Sequence, residues 1–143
     1  MSQQKQQQPQ EPKEVDWKRL ADAAGPYPVE AFHFVRDGLS YAAHRVHDVE
    51  MENLPEQDRH ISGQQLCMGL RDYAIERYGM LAPAVLGHWH IRRTEDFGRI
   101  VFAMVDHGLL SKTNDDTLDD FRSVYDFGEA FSANEVGMRI GSN

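Results

Sequence analysis

Histidines and an aspartate recur along one polar face of the segment between residues 28 and 47. The members of this stripe are His33, Asp37, Ser40, His44 and His47. On a helix, side chains three or four residues apart lie close enough to share one ligand, and imidazole and carboxylate groups bind zinc and iron. The stripe therefore indicates a metal-dependent enzyme, with His33, Asp37, His44 and His47 as candidate metal ligands.

A solvated polar face explains the same stripe. The chain lacks the His-Glu-x-x-His spacing that marks a helical metal site. His88 and His90 are further imidazoles near the middle of the chain, but side chains two residues apart on a helix point to different sides. Both interpretations of the stripe stay open at this point.

Three arginines predict a different chemistry, contact with the phosphates of a nucleic acid. Arg92 and Arg93 precede a predicted helix and Arg99 lies one turn inside it, where a recognition helix would carry its cations. Glu95 and Asp96 oppose this interpretation, because they occupy the turn that would approach the phosphates. A winged-helix-like nucleic-acid-binding protein is therefore an alternative.

Apolar and aromatic side chains favour binding of a protein partner. The segment Phe32–Val46 carries two adjacent apolar strips, Trp89 stands between two histidines, and aromatics return at Tyr125, Phe127 and Phe131. Such side chains pack on their own core or on another protein. A non-catalytic protein-binding or scaffold module is the function that we predict first.

Cys67 is the single cysteine of the chain, and His60 precedes it by seven residues. A catalytic cysteine needs a base beside it in space, whereas a structural one packs as a small apolar side chain next to Leu66 and Leu70. No glycine-rich phosphate loop, dinucleotide fingerprint or Gly-x-Ser-x-Gly elbow occurs. The sequence therefore predicts no cofactor and leans away from catalysis.

Composition limits the class of protein. The chain has 143 residues, 41% of them hydrophobic, and a net charge of −8. These values are typical of one globular domain, and the negative balance repels nucleic-acid backbones. No apolar run approaches the roughly 18 residues of a membrane span, and the glutamine-rich start lacks a signal-peptide core. We expect a cytoplasmic protein without a membrane partner.

Local capping signals predict most of the helices. Asp16 can cap a short helix that ends at Gly25, and Pro28 can begin a long one that reaches His47. Ser62 and Gln65 form a capping box for a helix that stops at Gly79. A shorter helix should follow from Ala82 or Pro83 to about Trp89, and Thr94 should cap a core helix that Gly108 ends. Its predicted buried face comprises Phe97, Ile100, Val101, Met104 and Val105.

These elements predict a mainly α, single-domain helical bundle with a helix-turn-helix-like, possibly winged, centre. We place a disordered glutamine-rich tail at residues 1–14, one globular helical domain at 15–131 and a flexible tail at 132–143. The aromatic segment after residue 120 has an ambiguous period. It is read as short helices or as a strand, Val124–Phe127, in a β-hairpin with Leu109–Lys112.

Several strings of the sequence resemble a bacterial protein family. They are Ala31 to Arg36, His60 to Cys67, Gly69 to Asp72, Thr94 to Phe102, and Val124 to Phe127. Together they resemble a conserved family typical of Planctomycetes and Verrucomicrobia, over about three quarters of the chain. That family has no established function, so the resemblance implies no catalytic residue.

Overall fold

The computed structural model describes residues 1–3, 15–48, 53, 55 and 60–141, and it is mainly helical. The helices are α1 (Trp17–Ala24), α2 (Val29–His47), α3 (Gly63–Tyr78), α4 (Ala82–His88), α5 (Thr94–Asp106), α6 (Phe127–Ala130) and α7 (Ala133–Gly141). Short 3-10 helices lie at Gly79–Leu81 and Leu118–Phe121, and the strands are β1 (Ser2–Gln3) and β2 (Leu110–Ser111). Within the described ranges, no helix is both long and apolar enough to cross a membrane.

Most helix ends follow the predicted capping signals. The side chain of Asp16 accepts from the backbone N–H of Arg19, and Ser62 and Gln65 form both hydrogen bonds of their capping box. Gly79 follows α3 and Gly108 lies just beyond α5, each with a positive φ that glycine adopts without a steric penalty. The predictions of α1, α3 and the end of α5 are therefore confirmed.

Helix α5 lies in the core, as predicted. Phe97, Ile100, Val101 and Met104 are fully buried, and α5 contacts α1, α2, α3 and the 3-10 helix Leu118–Phe121. Its predicted cap is wrong, however. The Thr94 hydroxyl donates to the Phe121 carbonyl at 2.6 Å, and Asp96 instead accepts from the backbone N–H groups at the start of the helix.

Helices α2 and α3 pack closely because small residues face each other. A Cβ atom built on Gly69 would lie 2.2 Å from the Cβ of Ala42, and one on Gly38 would lie 2.3 Å from Cδ2 of Leu70. Those separations are well inside van der Waals contact, which for carbon atoms begins at about 3.5 Å. The two backbones could not approach this closely with larger side chains.

Of the two readings of the segment after residue 120, the short helices are confirmed and the β-hairpin is wrong. Strand β2 pairs antiparallel with β1, Ser2 opposite Ser111, and the two serine hydroxyls lie 2.6 Å apart. In the segment Val124–Phe127, the first three residues precede α6 and Phe127 begins it; the Asp126 side chain accepts from the N–H of Glu129 and caps the helix. Residues 1–3 therefore do not belong to a disordered tail, and residues 4–14 lie outside the described residues.

The C-terminal segment also differs from the prediction. Residues 133–141, assigned above to a flexible tail, form α7. The Ser132 hydroxyl accepts from the N–H of Glu135, and Val136 is fully buried where α7 contacts α3. One buried valine and a helix cap are enough to tie this segment to the domain, whereas residues 142 and 143 lie outside the described residues.

Candidate functional site

The histidine stripe of α2 does not converge on a common point. The His33 ring packs on Trp17 with centroids 4.5 Å apart, His44 Nδ1 lies 2.7 Å from the Ser40 carbonyl, and His47 Nε2 lies 3.1 Å from the His60 carbonyl. Asp37 is exposed on the same helix. Among the described residues, no group of three histidine, cysteine or acidic side chains is placed to hold a metal ion.

Of the three arginines, only Arg99 has a described hydrogen-bond partner for its side chain. Its guanidinium donates to Asp96 Oδ1 at 2.8 Å, and Asp96 Oδ2 accepts from the backbone N–H groups of Arg92 and Arg93 at 2.8 and 3.1 Å. The side chains of Arg92 and Arg93 are exposed. Asp96 therefore neutralises Arg99 and organises the backbone at the start of α5.

Tyr27 completes this arrangement from the connection between α1 and α2. Its hydroxyl donates to Asp96 Oδ1 at 2.5 Å and lies 3.5 Å from the Arg99 guanidinium. Tyr27 is only 3% exposed, and burial, with the Asp96 hydrogen bond, raises its pKa to about 12. The phenol is thus protonated at neutral pH and anchors the α1–α2 connection to α5.

A surface cleft of about 530 Å³ opens beside Tyr27. One wall is the α1–α2 connection, where Pro26 and Pro28 flank the tyrosine, and the other is the end of α4 from His88 to His90. Asp22 on α1 and Glu30 on α2 also line the cleft. Two elements about sixty residues apart in sequence therefore form one cavity.

His90 adopts an unusual backbone conformation at the mouth of the cleft. Its φ is +64°, in the left-handed region that glycine normally occupies after a helix. The N–H of Ile91 donates to Leu86 O at 2.9 Å and that of His90 to Gly87 O at 3.0 Å, which is the Schellman pattern of helix termination. A non-glycine residue in this conformation marks a functional-site candidate.

Trp89 links the cleft to a row of aromatic side chains. Its ring lies 5.5 Å from Phe34 and 6.0 Å from Tyr78, and Tyr73 and Tyr41 continue the contacts along α2 and α3. We call these five residues the aromatic row. All but Phe34 are partly exposed. Arg77 lies over Tyr73 and Tyr78, and Arg45 lies over Tyr41.

The aromatics near the end of the chain pack on the domain itself. Tyr125, Phe127 and Phe131 contact one another, and the Tyr125 hydroxyl donates to the carbonyl of Cys67 at 2.7 Å. One apolar strip of α2 is also buried over most of its length, although Val46 at its end is 40% exposed; its buried members are Phe32, Val35, Leu39 and Ala43. Of the side chains suggested for protein binding, Trp89 lines the cleft beside Tyr27.

Cys67 is fully buried, and burial raises the pKa of its thiol, so it packs as the small apolar side chain that the sequence predicted. His60 does not pair with it. Its Nε2 lies 3.0 Å from Asp116 Oδ2, and its ring contacts the α-amino group of Met1, whose pKa burial lowers to about 6. This cluster joins β1 to the loop before the second 3-10 helix and does not line the cleft beside Tyr27.

His88, Trp89 and His90 stood out in the sequence, but Tyr27 and the cleft did not. The signals that mark the cleft are the Pro-Tyr-Pro triplet and a histidine where glycine usually ends a helix. In comparisons with known proteins, no family model, no curated protein and no solved structure matches this chain.

Proposed function

We propose that the domain is a non-catalytic protein-binding module that holds a segment of its partner in the cleft. The observation that carries the proposal is the position of Trp89, which lines the cleft and also belongs to the aromatic row. Tryptophan, tyrosine and arginine are the residues that contribute most to protein interfaces. The cleft and the aromatic row share Trp89 and together offer residues of these types.

The walls of the cleft suit binding because they are rigid. Pro26 and Pro28 restrict the α1–α2 connection, and Tyr27 is held by its hydrogen bond to Asp96. Trp89 packs against Phe34 and Tyr78, so little side-chain entropy is lost when a partner contacts it. A volume of about 530 Å³ lies within the usual range for ligand pockets.

Catalysis has less support at this cleft. Burial and the hydrogen bond to Asp96 raise the pKa of Tyr27 to about 12, which keeps its proton in place. Among the described residues, no hydrogen bond joins the side chain of His88 or His90 to that of Asp22 or Glu30, so no oriented acid–base pair is present. The nucleic-acid alternative is weakened because Asp96 neutralises Arg99.

Selection of random peptides on phage against the full chain tests the proposal. Peptides that are enriched should bind the purified protein in calorimetry, and Trp89→Leu and His88→Ala should each weaken binding about tenfold or more. His107→Ala is the matched control, because His107 is exposed and lies eleven residues beyond Asp96, about 16 Å along α5. Circular dichroism verifies that the variants remain folded.

The proposal fails if no peptide is enriched. It also fails if enriched peptides bind folded Trp89→Leu and His88→Ala proteins as tightly as they bind the original chain, because the partner would then contact another surface.

A further inference from the structure

We infer that the cleft selects a basic residue of the partner, so that a lysine or arginine side chain enters between the carboxylates of Asp22 and Glu30 and contacts Trp89. This inference rests on the proposed function and specifies the chemistry of its partner. It follows from the charge of the cleft, the position of Asp22 on its helix, and the presence of an aromatic ring.

The cleft carries negative charge without a compensating cation. Asp22 and Glu30 are the acidic residues that line it, and no lysine or arginine lines it. Both side chains are exposed, and neither forms an ion pair with another described residue. Counting histidines as neutral, the cleft therefore has two negative charges, and a concave surface of one sign attracts ligands of the opposite sign.

Two carboxylates elsewhere in the domain, those of Asp72 and Asp96, are neutralised by nearby arginines. Asp72 lies 3.1 Å from the Arg45 guanidinium and 3.3 Å from that of Arg71, and Asp96 lies 2.8 Å from that of Arg99. The Arg71–Asp72 and Arg99–Asp96 pairs each lie within one helix, and the Arg45–Asp72 pair joins α2 to α3. The two carboxylates of the cleft lack such partners among the described residues.

The helix dipole favours an acidic residue at the position of Glu30 but disfavours one at the position of Asp22. Glu30 lies in the first turn of α2, where a carboxylate interacts favourably with the positive end of the helix dipole. Asp22 lies in the last turn of α1, where the dipole is negative and a carboxylate is unfavourable. An acid at the unfavourable end of a helix, facing a cleft, points to a role in binding a cation.

The remaining lining groups suit a long basic side chain. A tryptophan ring attracts an ammonium or guanidinium group more strongly than any other aromatic side chain does. Trp89 and the two prolines offer apolar contact to the methylene stem, which lysine and arginine bury readily. A phosphate or an acidic peptide would instead meet the two unpaired carboxylates.

Blocked amino acids test the inference directly. The Nα-acetyl methylamides of lysine, arginine, norleucine and glutamate are titrated into the ¹⁵N-labelled full chain, and the Trp89 indole signal and the amides of Tyr27 and His88 are followed by NMR. Norleucine is the matched control because it has the stem of lysine without the ammonium group. The basic derivatives should half-saturate these shifts at a concentration at least about tenfold lower than norleucine does.

The carboxylates are tested by the double variant Asp22→Asn, Glu30→Gln. It should reduce the preference for lysine over norleucine to within about twofold, whereas Asp106→Asn, an exposed acid at the far end of α5, should leave it unchanged. Raising the ionic strength from about 0.02 to about 0.5 M should weaken the binding of the lysine derivative to the original chain.

The outcomes separate this inference from the proposed function. If selected peptides need Trp89 but the cleft prefers norleucine or glutamate, the inference is overturned and the proposed function stands. If neither peptides nor blocked amino acids shift the cleft signals, both fall. If the lysine derivative binds but no peptide is enriched, the proposed function is wrong, and the ligand of the cleft is a small organic cation instead of a protein. A dimer in light scattering that Trp89→Leu abolishes would show that a second copy fills the cleft.

Discussion

His90→Gly should stabilise the domain, although it removes a side chain from the candidate site. His90 has a φ of +64° and completes the Schellman pattern at the end of α4. A residue with a Cβ pays a steric penalty in this conformation, and glycine does not. The same replacement at His88 should have the opposite sign, because His88 is the last residue of α4 and glycine is a poor helix former.

Two opposing effects on the backbone, one steric and one entropic, set the size of these changes in the free energy of unfolding. The left-handed conformation costs a non-glycine residue about 1–2 kcal/mol, and the extra freedom of glycine in the unfolded chain costs about 0.5–1 kcal/mol. His90→Gly should therefore raise the free energy of unfolding by roughly 0.5–1 kcal/mol, and the Tm by about 2–4 °C. His88→Gly should lower the free energy of unfolding by about 0.5 kcal/mol.

Urea denaturation followed by circular dichroism measures both variants against the original chain. The same His90→Gly protein should bind cleft peptides more weakly, since an imidazole has left the mouth of the cleft. A loss of stability equal to that of His88→Gly would refute the reasoning, because the backbone at residue 90 would then not be strained.

Three further predictions concern the packing, the anchor and the charge of the cleft. Gly69→Ala should destabilise the domain by about 1–3 kcal/mol in urea denaturation, since its Cβ would clash with Ala42. Gly87→Ala is the control, and because the space around Gly87 is open it should stabilise the domain by about 0.5–1 kcal/mol. Equal effects of the two variants would contradict the close packing of α2 and α3. The pKa of Tyr27 is near 12 in the folded domain, above the value near 10 in the unfolded chain. Tyr27 therefore adds up to about 2.7 kcal/mol to the free energy of unfolding below pH 10, and this contribution is lost as the pH rises from 10 to 12. Comparison with Tyr27→Phe in alkaline urea denaturation isolates this slope, and parallel pH profiles would count against it. Asp22→Asn should raise the free energy of unfolding by about 0.3–1 kcal/mol at low salt because it removes an acid from the end of α1, and a decrease in thermal denaturation would argue against the dipole explanation.

The sequence alone was sufficient to predict a structural feature where the interaction that decides it joins residues close together in the chain. Ser62 and Gln65 are three residues apart, and their capping box depends on that spacing and on little else. The same holds for Gly108 after α5 and for the buried face of α5, because helical periodicity places Phe97 and Ile100 on one side. The mainly helical class and the bounds of the longer helices follow from such short-range rules.

Tertiary contacts decided the rest. The hydroxyl of Thr94 leaves its own helix terminus because the Phe121 carbonyl, 27 residues away, lies within reach. Strand β2 pairs with residues 107 and 109 positions before it, and no pattern in a single sequence indicates that partner. The cleft has the same origin, since Tyr27 and Trp89 line it together only because the fold brings the α1–α2 connection to the end of α4. Capping and periodicity depend on spacing along the chain, whereas the cleft depends on which buried surfaces meet, and that is settled by packing of the whole domain.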